Sequence, residues 1–249
     1  MLQNMWNLLV ERSGWFAGLA GEHLTLSAIA IAVAIVVGGL AGLLISQATK
    51  AAKPTLAVVN FLYTIPSISM LGLLIPFSGV GNVTAVIALI IYALLPMVRS
   101  TYTGLTNIEP GIIEAARGMG STEGQIMRKI RIPLAMPVIM SGIRSMATMT
   151  IALTGIASFI GAGGLGVAIY RGITTNNMAM TMDGSLLVAI LALVVDFVLG
   201  VVERRAQMRS APTGVRSSLW PPSSPYLWQS VSHAPVPPGA PPSVSPPSP

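Results

Sequence analysis

The sequence predicts an all-α membrane protein of about five transmembrane helices, followed by a disordered Pro-rich C-terminal tail. Three observations carry that prediction. Of 249 residues, 53% are apolar and only 9% charged, against the ~25% charged that a water-exposed globular surface requires. Long charge-free stretches, each sufficient for the roughly 20 residues of a bilayer span, divide most of the chain. After Arg209 the composition turns abruptly to proline and serine. Mean hydropathy is +0.73. With no cysteine and two histidines, disulfide frameworks, thiolate metal sites and thiol chemistry are excluded. The 14 Lys and Arg against 8 Asp and Glu are too scattered for a nucleic-acid stripe. The bilayer is the expected surrounding, and no nucleic acid, metal or cofactor is expected.

Residues 1–21 mix Trp6, Leu8, Leu9, Trp15 and Phe16 with Glu11 and Arg12, a composition suited to a short helix at the headgroup level. The membrane domain is placed at 22–205. Its first span, about 24–46, lies between Glu22 and Lys50. No charge appears between Lys53 and Arg99, which accommodates two spans, about 55–76 and 81–98. They are separated by a Pro76–Asn82 break rich in helix-ending residues. The fourth, about 137–160, is interrupted only by Arg144, and the fifth, about 184–203, only by Asp196. Residues 206–249 hold most of the 19 prolines and are expected to lack a packed core.

Orientation follows from the basic residues. Lys50 and Lys53 follow span one. Arg99, Arg117, Arg128, Lys129 and Arg131 lie between spans three and four, and Arg204, Arg205 and Arg209 follow span five. These segments alternate correctly to share the cytoplasmic side, which puts the N-terminus outside and the C-terminus inside.

The loop between spans three and four is too long for a mere connection. Within residues 107–131, Ile108, Ile112, Ala115 and Ala116 are read as one helical face, with Pro110 in the first turn. Gly118 and Gly120 break this helix, Ser121 is the expected N-cap of a second, and Arg128-Lys129-Ile130-Arg131 closes that second helix before Pro133. The expectation is a paired-helix finger at the cytoplasmic surface.

Glu114-Ala115-Ala116, three residues, Gly120, nine residues, Ile130, one residue, Ile132-Pro133 resembles the EAA motif of bacterial ABC-importer permeases, with Ile132 where leucine is usual. Tyr63-Thr64-Ile65-Pro66-Ser67, Leu94-Leu95-Pro96, Thr101-Tyr102-Thr103-Gly104-Leu105, Pro133-Leu134-Ala135-Met136-Pro137 and Ile160-Gly161-Ala162-Gly163-Gly164-Leu165-Gly166 are similar to the permease subunits of osmoprotectant importers. The resemblance implies a type I ABC-importer permease fold in a bacterial cell membrane. It also implies Glu114, Ala115, Ala116, Gly120, Ile130 and Pro133 as the ATPase-coupling residues. The implied partners are cytoplasmic ATPase subunits, a second permease subunit (identical or related) and an extracellular solute-binding protein. The implied cargo is a compatible solute such as glycine betaine, carnitine or choline, moved by alternating access. The coupling loop is shared with permeases for other small solutes such as methionine, which stand as the alternative, ahead of an ATPase-independent transporter or channel. ATP hydrolysis belongs to the partner, and the chain itself is not expected to be an enzyme.

Gly161 to Gly166 also matches G-x-G-x-x-G, but that fingerprint needs a soluble strand–turn–helix setting. A tight turn into a short helix over 167–173 is expected instead. Gly38 and Gly42 form a G-x-x-x-G pair that suits close helix contact. Arg144 and Asp196, each costly in hydrocarbon, lie at similar depth and are expected to pair between spans four and five. Phe61, Tyr63, Tyr92, Tyr102 and Phe159 are available for cation–π contact, but no substrate ligand is assigned.

Overall fold

The computed structural model describes residues 2–210, which form a single unit of helices. Helix α1 (Leu2–Glu11) precedes α2 (Ser13–Gln47), a 35-residue helix. The expected surface segment therefore ends as part of the first span rather than beside it. One stripe of α2 is buried: Phe16, Leu19, His23, Ser27, Ala30, Ala34, Gly38, Gly42 and Ile45. Its opposite side leaves Val36, Leu40 and Leu44 exposed, as expected where lipid rather than water is the neighbour.

In hydrocarbon, helices gain little from hiding apolar surface from each other, so close backbone approach matters more. The α2 seam shows this. It packs most extensively on α5 (Asn82–Thr106). A Cβ added at Gly38 would lie 2.9 Å from Met97 Cβ, and one at Gly42 would lie 2.6 Å from Thr101 Cβ. Neither glycine can be larger without separating the two helices.

The expected second span, 55–76, is not one helix. It is α3 (Thr49–Thr64) and α4 (Ser67–Ser78), joined at a 98° bend. Proline lacks an N–H and drives the preceding residue out of the helical region, and Ile65 sits at φ −66°, ψ 128°. The Tyr92 hydroxyl of α5 donates to the freed Ile65 carbonyl. The break expected over Pro76–Asn82 is shorter: Pro76 lies inside α4, α5 begins at Asn82, and the chain turns at 79–81, with Gly79 at φ +79° and Gly81 at φ +112°.

Span three extends further than expected, to Thr106. After α6 (Pro110–Gly118) and α7 (Glu123–Ile126), a π-helical turn over Met127–Arg131 runs directly into α8 (Ile132–Thr154). The second finger helix does not close before Pro133, and Glu123–Thr154 is one apolar helix of 32 residues. Pro133 falls in the first turn of α8, where the wide turn before it already departs from the α-helical hydrogen-bond register that a proline would disrupt. The fourth span thus begins earlier than 137 and ends at Thr154, followed by a 3-10 turn, Ile156–Ile160. Helix α9 (Gly166–Thr174) occupies the position expected for the short helix. Helix α10 (Met178–Ser210) packs on α8 and α9. Among the described residues, four helices, or five spans with the bent pair, are long and apolar enough to cross a membrane. The proline-rich residues 211–249 lie outside the described residues.

Candidate functional site

The finger is organised by contacts within its own short sequence. Helix α6 ends in a reverse turn in which Gly120, at φ +84°, donates from its N–H to the Arg117 carbonyl at 2.9 Å, and Ser121 to the Ala116 carbonyl at 3.1 Å. This pair of bonds closes a helix C-terminus and puts its glycine in the left-handed region. Thr122, not Ser121, caps α7. Its N–H donates to Gln125 Oε1 at 2.9 Å, and its hydroxyl accepts from the Gln125 N–H at 3.4 Å, a reciprocal capping box. Arg117 Nε donates to Glu123 Oε1 at 2.7 Å across the turn. That hydrogen bond holds the guanidinium above its ordinary pKa.

Ile113, Ala116 and Ile126 form a small core, with Ile108 and Ile130 packed against it. The expected single face of Ile108, Ile112, Ala115 and Ala116 is therefore two faces. Successive helical residues turn by about 100°, which carries Ile113 and Ala116 inward. Ile112, Ala115 and Met119 point away, and Met119 is 80% exposed. Of the motif residues, Ala116 and Ile130 meet in the core, Glu114 and Ala115 face out, Gly120 makes the turn, and Pro133 lies beyond in α8. Sequence reasoning missed the exposed apolar row 112–115–119, which positions i, i+3 and i+7 could have revealed.

Arg144 and Asp196 meet between α8 and α10. Arg144 donates from Nε to Asp196 Oδ1 at 2.7 Å and from Nη2 to Oδ2 at 2.6 Å, the two-pronged geometry that suits guanidinium and carboxylate. Nη1 reaches Glu203 Oε2 at 3.2 Å. Gly200 lies between the two acids, and a Cβ there would come within 3.1 Å of Arg144 Cζ. Glu203 was missed because it adjoins Arg204 and Arg205. Its spacing of seven from Asp196, with glycine between, is the signal that could have found it.

At the other end of the bundle, the 161–166 turn is held by distant groups. Gly163 N–H donates to Asn82 Oδ1 at 2.8 Å, and Gly164 N–H to Glu22 Oε2 at 3.1 Å. A Cβ at Gly164 would lie 3.2 Å from His23, and one at Gly166 would collide with the Gly155 carbonyl. Of the aromatics expected to be available, Tyr63 and Tyr92 pack edge to face at 5.9 Å, and Tyr92 closes the α3–α4 bend.

A protein-family description, "Binding-protein-dependent transport system inner membrane component", matches residues 23–208. The chain belongs to that family. Among relatives of this inner membrane component, an osmoprotectant import permease protein, OsmW, of Salmonella typhimurium is 41% identical over 213 residues. The alignment spans 84% of this chain and 97% of the relative. A carnitine transport permease protein, OpuCB, of Listeria monocytogenes is 42% identical, over 82% of this chain and 89% of its own. A solved structure of the MetNI methionine ABC transporter is similar at a TM-score of 0.71 and 26% identity, over 77% of this chain and 96% of that one. The component is thus a multi-pass inner-membrane permease subunit of the ABC-importer type.

Proposed function

We propose that this permease works as one of a pair of membrane subunits importing a quaternary-ammonium compatible solute, with glycine betaine, carnitine and choline as the class. The 41–42% identity to permeases named for osmoprotectant and carnitine import, over nearly their whole length, carries this reading. Cytoplasmic ATPase subunits grip the finger through its outward row, Ile112, Ala115 and Met119, flanked by Glu114. The inward Ala116 and Ile130 and the turn at Gly120 hold that row in shape. Nucleotide-driven movement passes along the unbroken Glu123–Thr154 helix to Arg144, where Asp196 and Glu203 fasten α8 to α10. The basic residues at the finger end support a cytoplasmic finger and C-terminus and an outer N-terminus. An extracellular binding protein delivers solute to the end that carries the glycine turn. The chain itself breaks no covalent bond.

Reconstitution with its ATPase and binding protein in liposomes tests the reading. ATP-dependent uptake of labelled glycine betaine, carnitine or choline is expected. Uptake of methionine alone would instead favour the second reading, an importer of another small solute, which the likeness to the methionine transporter supports.

A further inference from the structure

Beside the glycine turn lies a cleft of about 470 Å³, walled by Trp15, Glu22, Tyr170 and Arg171 with Gly161 and Gly163. That volume falls in the roughly 300–1,000 Å³ range of small-molecule sites. Its chemistry is specific. Trp15 and Glu22 stand on one face of α2, two turns apart, and Tyr170 and Arg171 stand on α9. The ring of Trp15 already carries a cation, since Arg171 Cζ lies 5.7 Å from its centroid. Tyr170 is braced edge to face by Phe159 at 5.3 Å. Glu22 is fixed by the Gly164 N–H at 3.1 Å. A side chain at Gly163 would run into the Glu22 carboxylate, so that glycine keeps the acid in place. Glu22 and Arg171 line the same cleft, yet among the described residues neither forms an ion pair with the other or with any third group. A carboxylate, a guanidinium and two aromatic rings therefore converge with their opposite charges held apart.

We propose that this cleft is a low-affinity binding site for a zwitterion that carries a quaternary ammonium at one end and a carboxylate at the other. The ammonium lies against the rings of Trp15 and Tyr170 with Glu22 as counter-charge. The carboxylate takes Arg171, drawing the guanidinium from the Trp15 face that the ammonium then occupies. Aromatic faces attract such cations through the ring quadrupole. Arginine is the planar partner for a carboxylate. The inference deepens the proposed function, on which it rests, by placing a substrate contact at the end opposite the finger.

Saturation-transfer NMR on the full-length permease, purified with its ATPase but without the binding protein, tests it using glycine betaine and choline as probes. Saturation is expected to reach the N-methyl protons of both. Trp15→Ala and Glu22→Gln weaken both signals, by roughly tenfold in apparent affinity for Trp15→Ala, and Trp15→Phe keeps them. Arg171→Gln weakens the glycine betaine signal and leaves that of choline, which has no carboxylate, equal or stronger. ATPase co-purification by each variant reports that it has folded. Wild-type-like signals in Trp15→Ala and Glu22→Gln, or no transfer to the wild type, overturn the site. If the reconstituted transporter still imports glycine betaine in that case, the proposed function stands without the site. Import of methionine alone removes both.

Discussion

The finger and the glycine turn are both glycine-bearing connections at opposite ends of the same bundle, and they are built on opposite plans. Every bond that shapes the finger joins residues within it: Gly120 to Arg117, Thr122 to Gln125, Arg117 to Glu123, and Ala116 against Ile126. The glycine turn has long-range partners: its N–H groups donate to Asn82 and Glu22, and Gly164 lies close against His23. A segment held by its own neighbours can be gripped and displaced as a unit, whereas one bonded to Asn82 of α5 and Glu22 of α2 ties helices together. The finger is thus suited to transmit movement and the glycine turn to resist it.

The largest effect that would sharpen this contrast is on folding. Gly166→Ala forces a methyl into the Gly155 carbonyl and is expected to cost about 3 kcal/mol, read as a lowered melting temperature of the purified protein. Gly120→Ala meets open space and bears only its left-handed conformation, about 1 kcal/mol confined to the finger. Equal losses from the two would break the comparison.

Next come the adjacent alanines. Ala116→Glu puts a carboxylate into the Ile113–Ile126 core, so trypsin is expected to cut at the finger's basic residues and ATPase co-purification to fail. Ala115→Glu leaves the finger protease-resistant and loses only the ATPase. Full uptake by Ala115→Glu would contradict the outward row as the gripping surface.

For the intramembrane cluster, Arg144→Gln and Asp196→Asn should each lower uptake more than ATPase activity. The exchange Arg144→Asp with Asp196→Arg should recover part of the loss, since the partners are kept though Glu203 is left facing an acid. No recovery would count against the pair as the fastening point. The smallest effect is Thr122→Ala, about 1 kcal/mol, visible as faster amide exchange at Gln125 while the melting temperature of the bundle stays unchanged.

How much was legible follows the same division. The finger could be read because glycine, hydroxyl and alternating apolar residues act on near neighbours. The one-residue error at its cap was avoidable, for Thr122 has Gln125 three residues on, while Ser121 has Gly124, which cannot reciprocate. Arg144 and Asp196 stood out against apolar sequence, and depth alone suggested their meeting. The bend at Pro66 was hidden because apolarity over a window records nothing of direction, and the hydroxyl that completes it belongs to a residue far along the chain. Nothing local in Gly161–Gly166 names Glu22 or Asn82, and so the cleft beside that turn could not be foreseen.

The absence of a hinge between the finger's second helix and the fourth span has a mechanical consequence. At 1.5 Å per residue, the distance from Glu123 to Arg144 is about 30 Å, and a helix is stiff along its axis. A push of an ångström at the finger tip would arrive at the charged fastening as nearly the same ångström. Inserting a pair of glycines in the wide turn at Met127–Arg131 would turn this pushrod into a slack joint, with hydrolysis continuing and cargo left behind.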